Sequence, residues 1–312
     1  MKFSFYCIYR KKYNYLKNFL LIFIALLCIT GFGIASEPDS GGKSENDNGE
    51  QLDIIGKVVD HDYVDFYFFG KLQLPKLPAV TIGGIKFDFS VTKSLFMMVL
   101  SSLLLIAVLR RAAVVNSKSR VPKGIGNFID TIVMFIRDDI VVPNMGKEGL
   151  KLLPFFLTLF FFILFANLIG LIPFLAQPTK NLSVTTGLAL ITFSTTQIMG
   201  MKKNGVLGYI RGLVPHGIPA FVLPIMIVVE FIGLFTKPFA LLMRLFANIT
   251  AGSIIILSLI GLIFIMNWAG AVIAVPFALF INLLEIFVAL LQAYVFTMLS
   301  VLFISMAMHQ DH

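Results

Sequence analysis

The apolar stretch from Phe221 to Met308 carries only four charged side chains, Glu230, Lys237, Arg244 and Glu285. A charge in hydrocarbon costs at least about 2.5 to 3.5 kcal/mol, so each of them needs a partner or a function. Their spacing is regular. Glu230, Lys237 and Arg244 are seven apart and Asn248 is four further on; at about 100° per residue all four share one helix face within roughly 60°. That polar stripe is about 27 Å long at about 1.5 Å per residue. Glu285 and Gln292, again seven apart, share a second face, with Asn282 nearby. Arginine keeps its proton at any accessible pH, so Arg244 can serve only as a fixed positive charge that attracts carboxylates and repels cations. Glu230 and Glu285 can take up and release protons, so two such stripes facing one another would make an ion path. Lys237, next to Pro238, has an alternative reading as a snorkelling lysine at a membrane surface. Arg244 has too many apolar neighbours on both sides to reach water that way. Asn167, Gln197, Asn248 and Gln292 either line aqueous cavities or hydrogen-bond between helices.

The elements that hold these residues must live in lipid. Of 312 residues, 58% are hydrophobic and 13% charged, against roughly 25% charged in an ordinary soluble domain, and the mean hydropathy is +0.90. A water-facing globule, and with it a soluble enzyme, is excluded; the lipid bilayer is the first partner. The net charge of +8 would fit nucleic-acid binding in a soluble protein, but its distribution excludes that partner.

Residues 1–35 hold Lys2, Arg10, Lys11, Lys12, Lys17 and no acid, then an apolar run from Phe19 to Ile29 and the small-residue stretch Gly31-Phe-Gly-Ile-Ala35. This is the plan of a secretory signal peptide, with cleavage after Ala35 or Ser36; an uncleaved anchor would equally place residue 36 outside. Without these five basic residues, 20 basic and 17 acidic ones remain, an excess of +3. Both cysteines, Cys7 and Cys28, fall in this segment, and Leu27 is not the small residue that a lipoprotein signal has before its cysteine. Residues 36–91 hold five Lys and ten Asp/Glu and open on the tract Ser36 to Gln51, which is too polar to order itself. They read as an extracytoplasmic arm. Ala79 to Asp88 alternates around Gly83-Gly84, the composition of a two-residue β-hairpin. Gly41-Gly-Lys-Ser44 ends like a phosphate-binding loop, but Glu37 stands where the first glycine belongs and no strand–helix context surrounds it.

A first span covers about Thr92 to Leu109 and ends at Arg110-Arg111. Residues 110–151 hold eight Lys/Arg and four acids, so positive-inside bias makes this loop cytoplasmic. Within it, Ile125, Phe128, Ile129, Ile132, Val133, Phe135, Ile136 and Ile140 recur at helical spacing, an amphipathic helix for the membrane surface or, alternatively, a short helix packed on protein. Leu152–Leu175 and Val184–Met201 form a hairpin of spans joined by Ala176–Ser183, and Lys202, Lys203 and Arg211 follow on the cytoplasmic side. From Phe221 onward, periodicity leaves two choices: three ordinary spans with the C-terminus outside, or two long helices broken near Asn267-Trp-Ala-Gly-Ala271 with the C-terminus inside.

The run Phe239-Ala-Leu-Leu-Met-Arg-Leu-Phe-Ala-Asn-Ile-Thr-Ala-Gly252 resembles the central motif of subunit a of the rotary F-type ATP synthase, R-L-F-x-N-x-x-A-G around an essential arginine. Glu230 and Phe235-Thr-Lys-Pro238 stand at the family's spacing before that arginine. Asn167-Leu-Ile-Gly-Leu-Ile-Pro173 is similar to its N-L-x-x-L-x-P, and Leu290-Leu-Gln-Ala-Tyr-Val-Phe296 to its L-Q-A-F-x-F. The likeness covers about residues 92–308; residues 1–91 have no counterpart in it.

The resemblance implies an all-α membrane protein of about five transmembrane helices, two of them long and tilted, with an amphipathic surface helix and a small extracytoplasmic N-terminal segment. The organisation is then a signal at 1–35, an arm at 36–91, a membrane channel domain at 92–308 and a cytoplasmic tail at 309–312. It implies the static ion-channel subunit of a rotary ATP synthase in a cell inner membrane. Protons would pass through two half-channels against a rotating c-ring, beside peripheral-stalk b subunits and the rest of the complex. The chain itself would bind no nucleotide, metal or cofactor and would not be an enzyme. By the resemblance, Arg244 separates the half-channels, Glu285, Asn248 and Gln292 belong to the external one and to the helix contact, and Glu230 belongs to the cytoplasmic one. Asn167, Gln197, Asn282 and Ser253 are further channel-lining candidates. Where some relatives have Glu nine residues after the arginine and His in the last helix, this chain has Ser253 and Glu285; where some have Asp it has Gly170. Glu285 is therefore expected to be the main outer proton acceptor. The alternative from another class is a secondary transporter that binds a small anion at Arg244.

Overall fold

The structure is a computed structural model and describes residues 63–66, 70–73, 80–82, 85–87, 93–118, 124–172, 177–212 and 223–309. The segment expected to be a signal, 1–35, and the polar tract 36–51 lie outside the described residues.

Two short antiparallel strand pairs precede the membrane part. Strand β1 (Tyr63–Phe66) pairs with β2 (Gly70–Gln73), and β3 (Val80–Ile82) pairs with β4 (Ile85–Phe87). In the second pair Ile82 faces Ile85, the two residues that flank Gly83-Gly84 in the sequence, where the composition predicts a hairpin. The first pair is not marked in the sequence, because its connecting residues, Tyr67-Phe-Phe69, include no turn former.

The helical part runs α1 (Lys93–Lys118), α2 (Ile125–Phe135), a π-helical segment (Ile136–Val141), α3 (Val142–Met145), a 3-10 turn (Glu148–Lys151), α4 (Leu153–Gly170), a 3-10 turn (Pro178–Lys180), α5 (Leu182–Asn204), α6 (Val206–Gly212) and α7 (Leu223–Met308). Five stretches among the described residues are long and apolar enough to cross a bilayer: Ser94–Val114, Leu153–Gly170, Leu182–Asn204, Ile225–Ile263 and Gly270–Met308. The first continues beyond the expected end at Leu109. Arginine is a good helix former, so Arg110-Arg111 ends the apolar character of α1 and not its backbone.

Helix α4 is apolar on every side and is the centre of the core, with Phe155, Phe156, Leu159, Phe162 and Ile163 all buried, as an all-round apolar helix must be. It packs against both α1 and α7. Helix α2 divides its apolar residues. Ile129 and Val133, continued by Ile136 and Ile140 of the π-helical segment, are buried, while Ile125, Phe128, Met134 and Phe135 are exposed. One face therefore packs on protein, and the other is exposed in the chain by itself.

The last two spans belong to one helix that bends without losing its helical backbone. Asn248 and Gln292, 44 residues apart, are hydrogen-bonded at 3.1 Å, whereas a straight helix would hold them about 66 Å apart. The bend is packed tightly at Gly270, where a Cβ would come within 2.6 Å of the Leu262 carbonyl oxygen. Each arm spans 39 residues, about 58 Å of helix, which fits a hydrocarbon core of roughly 30 Å only at a steep tilt. Of the two expected arrangements, the long-helix one is found, with a bend in place of a break.

Candidate functional site

The site is built on the two arms of α7 and on the elements that touch them at either end. On the first arm, small residues leave room around the polar stripe. Ala240, Ala247 and Ala251 share the face of Arg244, and all four are exposed. Arg244 has no carboxylate partner among the described residues; the ion pairs there are Arg137 with Asp138 and Lys203 with Glu148. The arginine is thus embedded in an apolar span yet not enclosed by its own chain. Its face is open to a helix that could approach closely over alanines.

Four residues beyond Arg244, the Asn248 side-chain amide donates to Gln292 Oε1 across the arms. Gln292 is only 3% exposed, and its Nε2 has no partner among the described residues, as is true of the hydroxyls of Thr250 and Thr297 on the same two arms. Buried polar atoms without a protein partner are where internal water is retained. One further turn along, the Glu285 carboxylate lies against Gly252, in the space that a Cβ at 252 would take. A third element reaches this pair. Lys180, at the end of the 3-10 turn between α4 and α5, is close enough for its charge to act on the Glu285 carboxylate.

That turn is fastened to the end of α4. Thr179 donates from Oγ1 to Asn167 Oδ1 at 2.7 Å, with both residues buried, and Gln177 Nε2 donates to the Asn167 carbonyl at 3.4 Å. The Gln177 side chain fills the space over Gly170, so any side chain at 170 would overlap it. Asn181 then caps α5 by accepting from the Ser183 amide at 2.8 Å.

Toward the other end of the first arm, Glu230 and Lys237 line a cavity of about 190 Å³ together with Thr192, Thr196, Gln197 and Tyr209. Gln197 and Tyr209 share the wall of this cavity, and the Gln197 amide is close enough to act on the Tyr209 hydroxyl. Lys237 Nζ lies 5.9 Å from the centre of the Phe303 ring, a cation–π separation.

The structure thus brings Asn248 to Gln292, places Glu285 on Gly252, one turn from Asn248 and two from Gln292, and puts Gln197 in the cavity of Glu230. It treats three other candidates differently. Asn167 is a buried anchor of the 3-10 turn. Asn282 donates to the Ala278 carbonyl and Ser253 to the Ile249 carbonyl, each within its own helix. Sequence reasoning missed Gly252, Lys180 and Tyr209. Gly252 could have been found, since it stands four residues after Asn248 on the same face; Lys180 and Tyr209 stand outside the spans and carry no local signal.

The family model described as ATP synthase A chain matches residues 95–305. The chain is similar to ATP synthase subunit a of Chloroherpeton thalassium, 47% identical over 270 residues that cover 84% of this chain and 79% of the relative. It is 49% identical to ATP synthase subunit a of Myxococcus xanthus over 233 residues, 72% of this chain and 77% of the relative. The corresponding protein of Chlorobium phaeobacteroides is 43% identical over 286 residues, 90% of this chain and 81% of the relative. Nothing in these matches supports an anion transporter. The order of helices, the arginine on an open face and the matched family together lead to one conclusion: the chain belongs to the ATP synthase subunit a family.

Proposed function

We propose that the chain is the static proton channel of the membrane sector of a rotary ATP synthase, and that its two half-channels meet a ring of carboxylate-bearing c subunits at Arg244. One observation carries this reading. Along the first arm of α7, Glu230 precedes Arg244 by fourteen residues and Gly252, on which Glu285 rests, follows it by eight. These are about 21 and 12 Å of helix, so the two proton-carrying groups stand on opposite sides of a fixed positive charge.

The chemistry follows from this order. A proton from the outer side protonates Glu285 and passes to a ring carboxylate, which as a neutral acid can enter lipid. After the ring turns, that carboxyl loses its proton toward Glu230 and its cavity. As the carboxylate returns past Arg244 it is held ionised by the guanidinium, which by charge also denies a proton any direct passage between Glu285 and Glu230. The open alanine face around Arg244 suits the close approach of a ring helix, and an exposed, unpartnered cation within an apolar span requires a counter-charge from outside the chain.

The basic residues of the 110–151 and 202–211 segments favour a cytoplasmic side for those segments, and two long arms after residue 221 return the C-terminus to the same side. In a bacterial inner membrane this leaves residues 36–91 in the periplasm after removal of a signal at 1–35. Arg244, Glu285, Glu230, Asn248 and Gln292 carry the ion translocation, the subunit holds no nucleotide site, and peripheral-stalk b subunits complete the surroundings. The test is Arg244→Ala in the assembled complex: ATP-driven acidification of inverted membrane vesicles is abolished, and coupled pumping that survives the change would sink the reading.

A further inference from the structure

The cavity beside Glu230 contains a phenol that the ion path described above leaves unused. Gly205, at φ +73°, ends α5 in a conformation that only glycine adopts readily. The chain turns there into α6, where the Tyr209 amide donates to the Gly205 carbonyl at 2.9 Å. The turn lays the Tyr209 ring back on α5, into a notch at Gly200. A Cβ at 200 would stand 2.5 Å from the ring and 3.1 Å from the Ala307 carbonyl oxygen, so the notch exists because residue 200 has no side chain.

The notch is held shut from the far side. Asn204 Nδ2 donates to the Ala307 carbonyl at 3.1 Å, and Lys203 Nζ pairs with Glu148 at 2.7 Å. Tyr209 is only 5% exposed, and its hydroxyl meets the Gln197 side chain one turn along the same face of α5. The remaining hydroxyls of the cavity wall are committed to their own helix, Thr192 to the Leu188 carbonyl at 3.0 Å and Thr196 to the Thr192 carbonyl at 2.8 Å. Glu230 faces this pair from α7, with Lys237 two turns further along the same arm. Burial, with the Glu230 charge adding to it and the Gln197 amide working against it, pushes the Tyr209 phenol above its ordinary range. The hydroxyl is therefore a neutral donor and acceptor throughout the working pH range.

We propose that Tyr209 is a positioning residue of the proton path: its hydroxyl fixes the Gln197 amide in the wall of the Glu230 cavity, and protons leaving Glu230 pass this pair. The inference rests on the reading of Glu230 as a proton carrier, and it adds α6 to the channel.

The test uses the whole complex in inverted membrane vesicles. Tyr209→Phe keeps the ring in the Gly200 notch and removes only the hydroxyl. The amount of assembled complex on a native gel is expected to be unchanged and the ATP-driven pumping rate to fall about threefold to tenfold, the range that one neutral hydrogen bond is worth. Gln197→Leu is expected to give a loss of the same size, and the double variant to be no slower than the slower single one, as coupled partners require. A wild-type rate in Tyr209→Phe, a loss that only tracks a smaller amount of complex, or losses that multiply in the double variant would each overturn the proposal. Arg244→Ala is run beside them. If it stops pumping while Tyr209→Phe does not slow it, only the role of Tyr209 fails; if it leaves pumping intact, the channel reading itself fails.

Discussion

The Glu285 carboxylate rests on the backbone of Gly252, in the place where a side chain at 252 would have to sit. The two residues are 33 positions apart, and the bend in α7 is what brings them together. Gly252→Ala is favourable for the helix itself by up to about 1 kcal/mol, so a loss of function cannot come from a weakened helix. It must come from a displaced carboxylate. Displacements of about 1 Å cost up to about 100-fold where transfer depends on geometry. Pumping in vesicles should fall steeply while the amount of complex stays unchanged.

Glu285→Gln keeps the size of the side chain and its fit over Gly252 but cannot exchange a proton. Proton flux, measured as ATP-driven acidification, is expected to slow severely with assembly intact. An unaltered rate would remove Glu285 from the path.

Gln292 combines one satisfied atom, the acceptor for Asn248, with an unpaired buried Nε2. Replacing both partners of a hydrogen bond by apolar groups of like shape is close to neutral for stability, or favourable, whereas removing one leaves the other unpaired. Asn248→Leu combined with Gln292→Leu should therefore leave the thermal unfolding of the complex about unchanged, and lower its pumping rate. A marked loss of stability would show that the Asn248 contact matters for packing and not for ion transfer.

Gly170 stands where some members of the family carry Asp, and here the Gln177 side chain occupies the space. Gly170→Asp alone should destabilise the chain by about 1 to 3 kcal/mol, the usual cost of overpacking. Adding Gln177→Gly should recover most of it, read as thermal stability of the purified complex. If the single variant is as stable as wild type, the 3-10 turn is not fastened in the way described.

The Lys203 ammonium, by hydrogen bond and by charge, holds the Glu148 carboxyl below its ordinary range, with His309 and Lys151 adding smaller contributions. A carboxylate whose value is lowered on folding contributes stability above its unfolded value, about 4.3, and loses it as the pH falls through the lower folded value. The stability difference between wild type and Glu148→Gln should thus be small for so exposed a pair and should narrow in acid. A difference that widened as the pH fell would contradict the pairing.

Much of this was legible in residue order. Scarce charge required a membrane protein, because apolar surface on this scale has no aqueous solution. The seven-residue spacing placed Glu230, Lys237, Arg244 and Asn248 on one face, because helical geometry is fixed wherever a span must satisfy its own backbone hydrogen bonds. Other features could not be read there. A uniformly apolar run has no period, so three spans and two long arms were equally consistent with residues 221–308; the choice is made by the bend packed at Gly270 and by the Asn248–Gln292 contact. The fit of Glu285 over Gly252, of Gln177 over Gly170 and of Tyr209 in the notch at Gly200 likewise depends on which surfaces meet. Hydropathy and spacing describe each helix against its solvent, whereas those contacts are made between helices far apart in sequence, and only the tertiary structure decides them.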